Sequence, residues 1–323
     1  MSTFKKICNW KDYNAALLKR GELIFSFDEN YLKERYYEAK QGPGGIRKYT
    51  HRMYEYLLTI KVLLRFSWRA TLGFVRGLIK RVYKKEVALP HYSHAAREAN
   101  KINVTIKSYP KQAVEDGLEI AFDSTGVNVY TTSGYHQRKH GKESLWRKQE
   151  QWKKVHVALD LKEQQILSIV YTKSHVNDCQ VVHELCESIE KKIIKIIADG
   201  AYDTEKIHKL IHSWGAEAII PPAITSKAQN ELRKKKTFKE YLKGRDEIIS
   251  RIRKEKDFKA GLKQWKMESG YHQRSLIETC MFRLKRIFGF YLHQKNEIGR
   301  KNEIIAKVNM LNKMALLGRP RYD

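Results

Sequence analysis

The sequence predicts an α/β protein: a mixed sheet flanked by helices, with a helical region ahead of it. Three observations carry this. Apolar residues recur at helical spacing between Arg47 and Lys85; the period changes to two after Gly117; and strand-like and helix-like segments then alternate as far as Pro222. At 323 residues the chain has ample length for one large core or two. We divide it into a helical region, 1–110, and an α/β domain, 111–323, with a basic helical insertion around 224–266.

Residues 1–40 are polar, with short apolar segments around Leu17 to Phe27, and QGPGG at 41–45 reads as a turn or hinge. Tyr54, Leu57, Leu58, Val62 and Leu64, then Leu72, Val75, Leu78 and Ile79, mark two helices, with Ser67 as the N-cap between them. YSHAARE (92–98) reads as a short further helix opening at Ser93. Helix, short turn and helix are compatible with a helix-turn-helix DNA reader; a plain packed bundle gives the same pattern.

GLEIAFDSTGV (117–127) alternates as a strand with Asp123 near its end, where Ser124 to Gly126 can bend or bulge the chain, and VNVYTT (127–132) continues in strand chemistry. WKKVHVALD (152–160) and QILSIVYT (165–172) read as an antiparallel hairpin. Asn177 and Asp178 offer an N-cap for a helix carrying Val181, Val182, Leu185 and Ile189. KIIKIIADGAYD then gives a buried strand at 193–198 that stops at Asp199; Asp203 or Thr204 caps a helix to about Ser213, and AEAIIPP (216–222) ends in a short strand.

Asp123 and Asp199 thus end two apolar strands. A carboxylate there is costly to bury unless it is hydrogen-bonded or holds a cation, and a lone aspartate after a strand is usually a turn former. A third acid, Glu278, lies in YHQRSLIETCMFRLK (271–285). Wound as one helix, this stretch places Tyr271, Arg274, Glu278 and Lys285 on one stripe, with Leu276, Ile277, Cys280, Leu284 and Ile287 on the opposite arc. Phe282 is the exception, an aromatic on the polar side. Such a stripe is either a solvated face with i,i+4 ion pairs or a site for metal and phosphate. Hard divalent ions take oxygen ligands, and two of them about 3.5–4 Å apart serve phosphoryl transfer.

Lys plus Arg outnumber Asp plus Glu by 63 to 36, and a formal charge of +27 implies a polyanionic partner, nucleic acid first and an anionic membrane second. Two basic stretches, 135–154 with Trp146 and Trp152 interleaved, and 226–266 with RKKK at 233–236, suit a nucleic-acid backbone channel. Glu55, Lys61 and Arg65 break the best apolar run, the N-terminus lacks the apolar core of a signal peptide, and the four cysteines show no CxxC; a reducing cytosol and no membrane partner are expected.

FDSTG (122–126), ADGAYD (198–203) and Y-x2-R-x3-E-x6-K (Tyr271, Arg274, Glu278, Lys285), in that order, resemble the DDE transposases of bacterial insertion sequences, with the nearest likeness to insertion-sequence family five. The resemblance covers roughly 50–318 and includes WKKVHVALD, QWKMESGYHQRS and LNKMALLGRP. It implies an RNase H-like fold, Asp123, Asp199 and Glu278 as catalytic metal ligands, Mg²⁺ (with Mn²⁺ as a substitute), and Tyr271, Arg274 and Lys285 as contacts to DNA phosphates. It further implies cleavage at the element's terminal inverted repeats, strand transfer into target DNA, a homo-oligomer on the DNA, and a cytoplasmic, nucleoid-associated location. The rival expectations are a transposase-derived DNA-binding protein without catalysis, and an RNase H-like nuclease that cuts without joining.

Overall fold

The computed structural model describes residues 6–23, 49–82, 84, 86, 88–107, 117–129, 152–231, 238–255 and 257–321. QGPGG, most of the basic stretch 135–154 including Trp146, and RKKK at 233–236 lie outside them. Contacts divide the chain into two compact units, one from 1–109, 130–132 and 284–323, the other from 110–129 and 133–283.

In the first unit, α1 (Trp10–Glu22), α2 (His51–Leu64), α3 (Trp68–Val82) and α4 (Tyr92–Glu98) precede the long last helix of the chain, Glu297–Leu317. Arg65 ends α2 in the left-handed region (φ 55°), and two residues later the Ser67 hydroxyl accepts from the Ala70 amide at 3.2 Å, so α2 and α3 join through a short capped turn as expected. Amphipathic α3 buries Leu72, Val75, Leu78 and Ile79 and turns Arg69, Arg76, Lys80 and Arg81 outward. The last helix is buried along most of its length, polar residues included. Asn302 gives its amide hydrogens to the carbonyls of Ala99 (3.0 Å) and Ile102 (2.7 Å) and accepts from the Val104 amide; Asn309 does the same for Thr105 and Lys107. These asparagines satisfy backbone groups between Ala99 and Lys107, in a stretch that is in neither helix nor strand from 103 onward.

The second unit carries the sheet, formed by β1 (Leu118–Val129), β2 (Trp152–Asp160), β3 (Ile166–Lys173), β4 (Ile193–Ile197) and β5 (Glu217–Ile219) in the order β3-β2-β1-β4-β5. The first three strands are antiparallel, and β4 and β5 run parallel to β1. The expected hairpin is therefore β2–β3, and the mixed α/β sheet flanked by helices is present. Between the strands lie α5 (Val182–Glu187), α6 (Glu205–Ser213) and, after β5, α7 (Lys243–Ile252), α8 (Phe258–Glu268) and α9 (Ser275–Phe288). Leu118, Ile120 and Phe122 of β1 join Val182 and Leu185 of α5 and Ile207 and Ile211 of α6 in one core. Strand alternation then sends Asp123 to the other face.

Three local expectations change. Strand β1 does not end near Asp123 or bulge at Ser124–Gly126: pairing with β2 is unbroken from Ile120↔Asp160 to Asn128↔Trp152. Gly126 instead lets the Trp152 indole lie on the strand, since a Cβ there would meet the ring at 1.9 Å. The helix after Asn177 is shorter than its apolar pattern, a 3₁₀ turn over Asp178–Gln180 followed by α5. The stretch from Tyr271 is not one α-helix: Gly270 in the left-handed region (φ 73°) opens a 3₁₀ turn over Tyr271–Arg274, and α9 starts at Ser275.

Candidate active site

The parallel β1–β4 ladder sets the first two acids level. Ala121 pairs with Ile197, and Asp123 and Asp199 each lie two residues beyond that pair, on neighbouring chains about 4.8 Å apart in a sheet. Asp199 leaves β4 in extended conformation and caps the 3₁₀ turn Gly200–Tyr202, its Oδ1 accepting from the Ala201 amide at 2.9 Å. Asp123 Oδ1 accepts from the Ser124 amide at 2.8 Å, while Oδ2 lies 3.2 Å from Nη1 of Arg274. The same guanidinium donates to Glu278, in the first turn of α9. Arg274 therefore bridges two of the three acids, the residue before α9 reaching a strand 151 positions away.

Electrostatics tie in the third. Burial pushes the Asp123 carboxyl up; the Ser124 amide and Arg274 oppose this, and the charges of Asp199 and Glu278 add to it. Burial lowers Arg274, and the fields of Tyr271, Asp123, Glu278 and Asp199 more than restore it, so it is held above its ordinary value. Tyr271 is raised chiefly by burial, and its ring packs 6.0 Å from that of Trp265. The charges of Asp199 and Glu278 thus reach Asp123, Arg274 and Tyr271 alike. Lys285 belongs to the first unit, where burial lowers its pKa and Nζ lies 5.7 Å from the Phe290 ring centroid.

Among the described residues no three acidic, His or Cys side chains converge closely enough to hold a metal ion. The donor set nevertheless suits one. Three carboxylates repel one another across a partly buried space, their oxygens are the ligands that hard divalent ions take, and a guanidinium already supplies the positive charge between two of them.

A second network behind β1 was not legible in sequence. Asp178, expected as a helix cap, lies 2.9 Å from Lys154 Nζ and 3.1 Å from Nδ1 of the fully buried His156, whose Nε2 pairs with the Thr172 hydroxyl at 2.9 Å. Burial pushes Asp178 up, but hydrogen bonds from His156, Lys154 and Ser124 outweigh it and hold it at about 2. Ser124 thereby links this network to Asp123, the next residue. The one sequence signal was Lys154 and His156 at i,i+2 on β2, which share a face. Asp203, the other end of ADGAYD, leaves the capping of α6 to Thr204 and is buried against His208 and Arg245.

A family model described as "Transposase DDE domain" matches residues 115–312, and a second with the same description matches residues 18–132. The first span contains every acid of the site.

Proposed function

Since the chain belongs to the family of transposase DDE domains, we propose that it cuts a phosphodiester bond at each end of a DNA element and joins the freed 3′-hydroxyl to target DNA, as transposases of insertion-sequence family five do. The observation that carries this is Arg274 shared by Asp123 on β1 and Glu278 on α9, with the charge of Asp199, just past β4, acting on both Asp123 and Arg274. In this reading the three carboxylates are the catalytic set and hold Mg²⁺, or Mn²⁺ in its place. A bound ion there supplies a Lewis acid for the phosphate and lowers the pKa of a water or 3′-hydroxyl.

The chain's own residues do the rest. Arg274 turns its planar fork to two oxygens of the scissile phosphate, and the Tyr271 hydroxyl offers a third donor. Lys285 contacts the backbone further along. The exposed cations of α3 and the surplus charge of the chain hold the flanking duplex, with α2 and α3 the part that reads the terminal repeats. The region 1–110 is then the DNA-binding domain and 111–323 the RNase H-like catalytic domain, with α7 and α8 in its insertion. It works as a homo-oligomer on DNA, in the cytoplasm at the nucleoid. Among the described residues no helix is long and apolar enough to cross a membrane.

The test is incubation with labelled DNA carrying the flanking ends of its own gene, plus Mg²⁺. Nicked ends and covalently joined products are expected from the parent, and neither from Asp123→Asn, Asp199→Asn or Glu278→Gln, all three still binding DNA. Nicking without joined products returns the reading to a nuclease, and binding without nicking to a DNA-binding protein.

A further inference from the structure

Between β3 and α5 the chain makes one 3₁₀ turn, Asp178–Gln180, opened by Asn177, whose side chain accepts from the Cys179 amide at 3.0 Å. Two consecutive residues of this turn reach two different segments of the candidate site. Asp178 accepts from the Ser124 hydroxyl, and the Ser124 amide is the one that donates to Asp123 Oδ1 at 2.8 Å. Cys179 donates its thiol hydrogen to the Ala201 carbonyl at 3.2 Å, and the Ala201 amide is the one that donates to Asp199 Oδ1 at 2.9 Å. Each aspartate is thus oriented by the amide of a residue that the turn holds through another polar group.

The turn is itself tied down. Lys154 Nζ meets Asp178 at 2.9 Å and the Val176 carbonyl at 3.2 Å, and the buried His156 meets Asp178 at 3.1 Å, which fastens the turn to β2. Burial, and behind it the charges of Asp178 and Asp199, raise the Cys179 thiol, which therefore keeps the proton it donates. Burial first, then the charges of Asp178, Asp123 and Asp199, raise the Tyr202 hydroxyl, so the charges of all three aspartates reach one buried ring. The sheet leaves room for such a brace. Its β1–β4 ladder ends at Ala121↔Ile197, two residues short of both acids, so pairing alone does not fix their spacing. Carboxylates that share an ion must be held to within about 0.5 Å of the working geometry.

We propose that Asp178 and Cys179 are positioning residues of the cutting reaction, setting Asp123 and Asp199 at the spacing a shared ion needs, the first through Ser124 and the second through Ala201. This rests on the DNA-cutting function proposed above and adds two residues to it. Neither is a metal ligand; each acts through the residue whose amide meets an aspartate. The rival is a scaffold turn, in which the ion cluster of Asp178, Lys154 and His156 stabilises the fold and nothing more.

The experiment uses Ser124→Ala, which cuts the link to Asp178 while keeping the amide on Asp123, and Cys179→Ala, which removes the donor to Ala201. Cys179→Ser keeps a donor there. Asp178 itself is left in place, because its loss would strand Lys154 and His156 and endanger the fold. Two quantities are read: Mn²⁺ binding to DNA-free protein, by electron paramagnetic resonance, and single-turnover cleavage of the element-end DNA. Ser124→Ala and Cys179→Ala are each expected to bind Mn²⁺ and to cut roughly 3- to 10-fold less well, the scale of one neutral hydrogen bond. DNA affinity should not change, and excess Mn²⁺ should recover most of the cleavage. Cys179→Ser should stay within about twofold of the parent, its hydroxyl replacing the thiol as donor. A scaffold turn would lower melting alone. Parental Mn²⁺ affinity and cleavage in both alanine variants, or a Cys179→Ser variant as impaired as Cys179→Ala, overturns the positioning role and leaves the cutting function in place. If the parent binds the DNA but does not cut it, the functional reading itself fails and the positioning role with it.

Discussion

Asp123 and Asp203 lie in the same unit, and their surroundings are opposite. Asp203 has a side chain 4% exposed and saturated: Arg245 meets it with two nitrogens, Nε at 2.7 Å and Nη2 at 3.0 Å, His208 Nε2 lies at 2.9 Å, and the Ser226 hydroxyl at 3.3 Å. Burial pushes it up, but the hydrogen bonds from His208 and Arg245 win and hold it at about 2. Asp123 is partly buried, shares Arg274 with Glu278, and is held above its ordinary value, by burial first and then by the charges of Asp199 and Glu278. The charge of Asp203 is matched by His208 and Arg245; that of Asp123 is not matched to the same degree, which is what the proposed role beside a cation or phosphate needs.

The largest stability effect should come from the saturated centre. Arg245→Ala strands a carboxylate that is almost wholly buried, and breaking such a pair costs on the order of 3–5 kcal/mol. It also unties the segment around Ser226 and Lys227, which Arg245 holds through the Ser226 hydroxyl and the Lys227 carbonyl. Thermal melting should fall by on the order of 10 °C; a change of a degree or two would show that the pair is not an anchor. The pH dependence has a definite sign. A carboxylate depressed in the folded state contributes stability above its unfolded value, near 4, and loses it as pH falls through about 2. The difference in stability between parent and Asp203→Asn should therefore shrink over that interval.

Asp123→Asn should do the reverse. A folded-state pKa raised above the unfolded value means that the ionised group opposes folding at neutral pH, and this cost disappears as pH falls through the folded value. Removing the charge should leave melting at pH 7 unchanged or slightly higher, while abolishing cleavage. The small gain should vanish at acid pH. Melting lowered as in Arg245→Ala would place Asp123 with the structural acids and erase the contrast.

How far this contrast was legible follows from range in sequence. Asp123 and Asp199 showed themselves because apolar strands run into them, and Glu278 because helical spacing sets it opposite Ile277 and Cys280. The arginine that meets Asp203 is 42 residues away, in helix α7 of the basic insertion, where Arg245 is one of many cations and nothing local marks it. The network of Asp178 likewise depends on β2 lying beside β1, which brings His156 level with Ser124. Tyr271 and Arg274 share a stripe with Glu278 only if the helix runs through them; Gly270 at positive φ, a tertiary choice of backbone, winds them as 3₁₀ instead. The last helix hid its burial too. Nothing local marks Asn302, Asn309, Glu303 and Lys307 as buried: the asparagines are satisfied by the backbone of 99–107, and Glu303 pairs with Lys307.

Arg274 offers the finest test, because its guanidinium is shared by Asp123 and Glu278. Its guanidinium serves Asp123 and Glu278 as a cation would, so a divalent ion entering between those carboxylates must displace it. Removing it should then favour the ion. In DNA-free protein, Arg274→Ala is expected to bind Mn²⁺ roughly tenfold more tightly, the worth of one charge-assisted hydrogen bond of about 1.5 kcal/mol no longer competing. Electron paramagnetic resonance of free Mn²⁺ reads this without any cleavage, and Asp123→Asn, which lacks a ligand charge, serves as the control with weakened binding. Stability should hardly move, by less than about 1 kcal/mol, since Glu278 is half exposed and its ion pair with Arg274 is screened by water. Cleavage by Arg274→Ala should nonetheless fall, because the phosphate loses its fork even as the carboxylates gain their ion. Mn²⁺ affinity that is unchanged or weaker in Arg274→Ala would mean that the arginine does not occupy the cation's place.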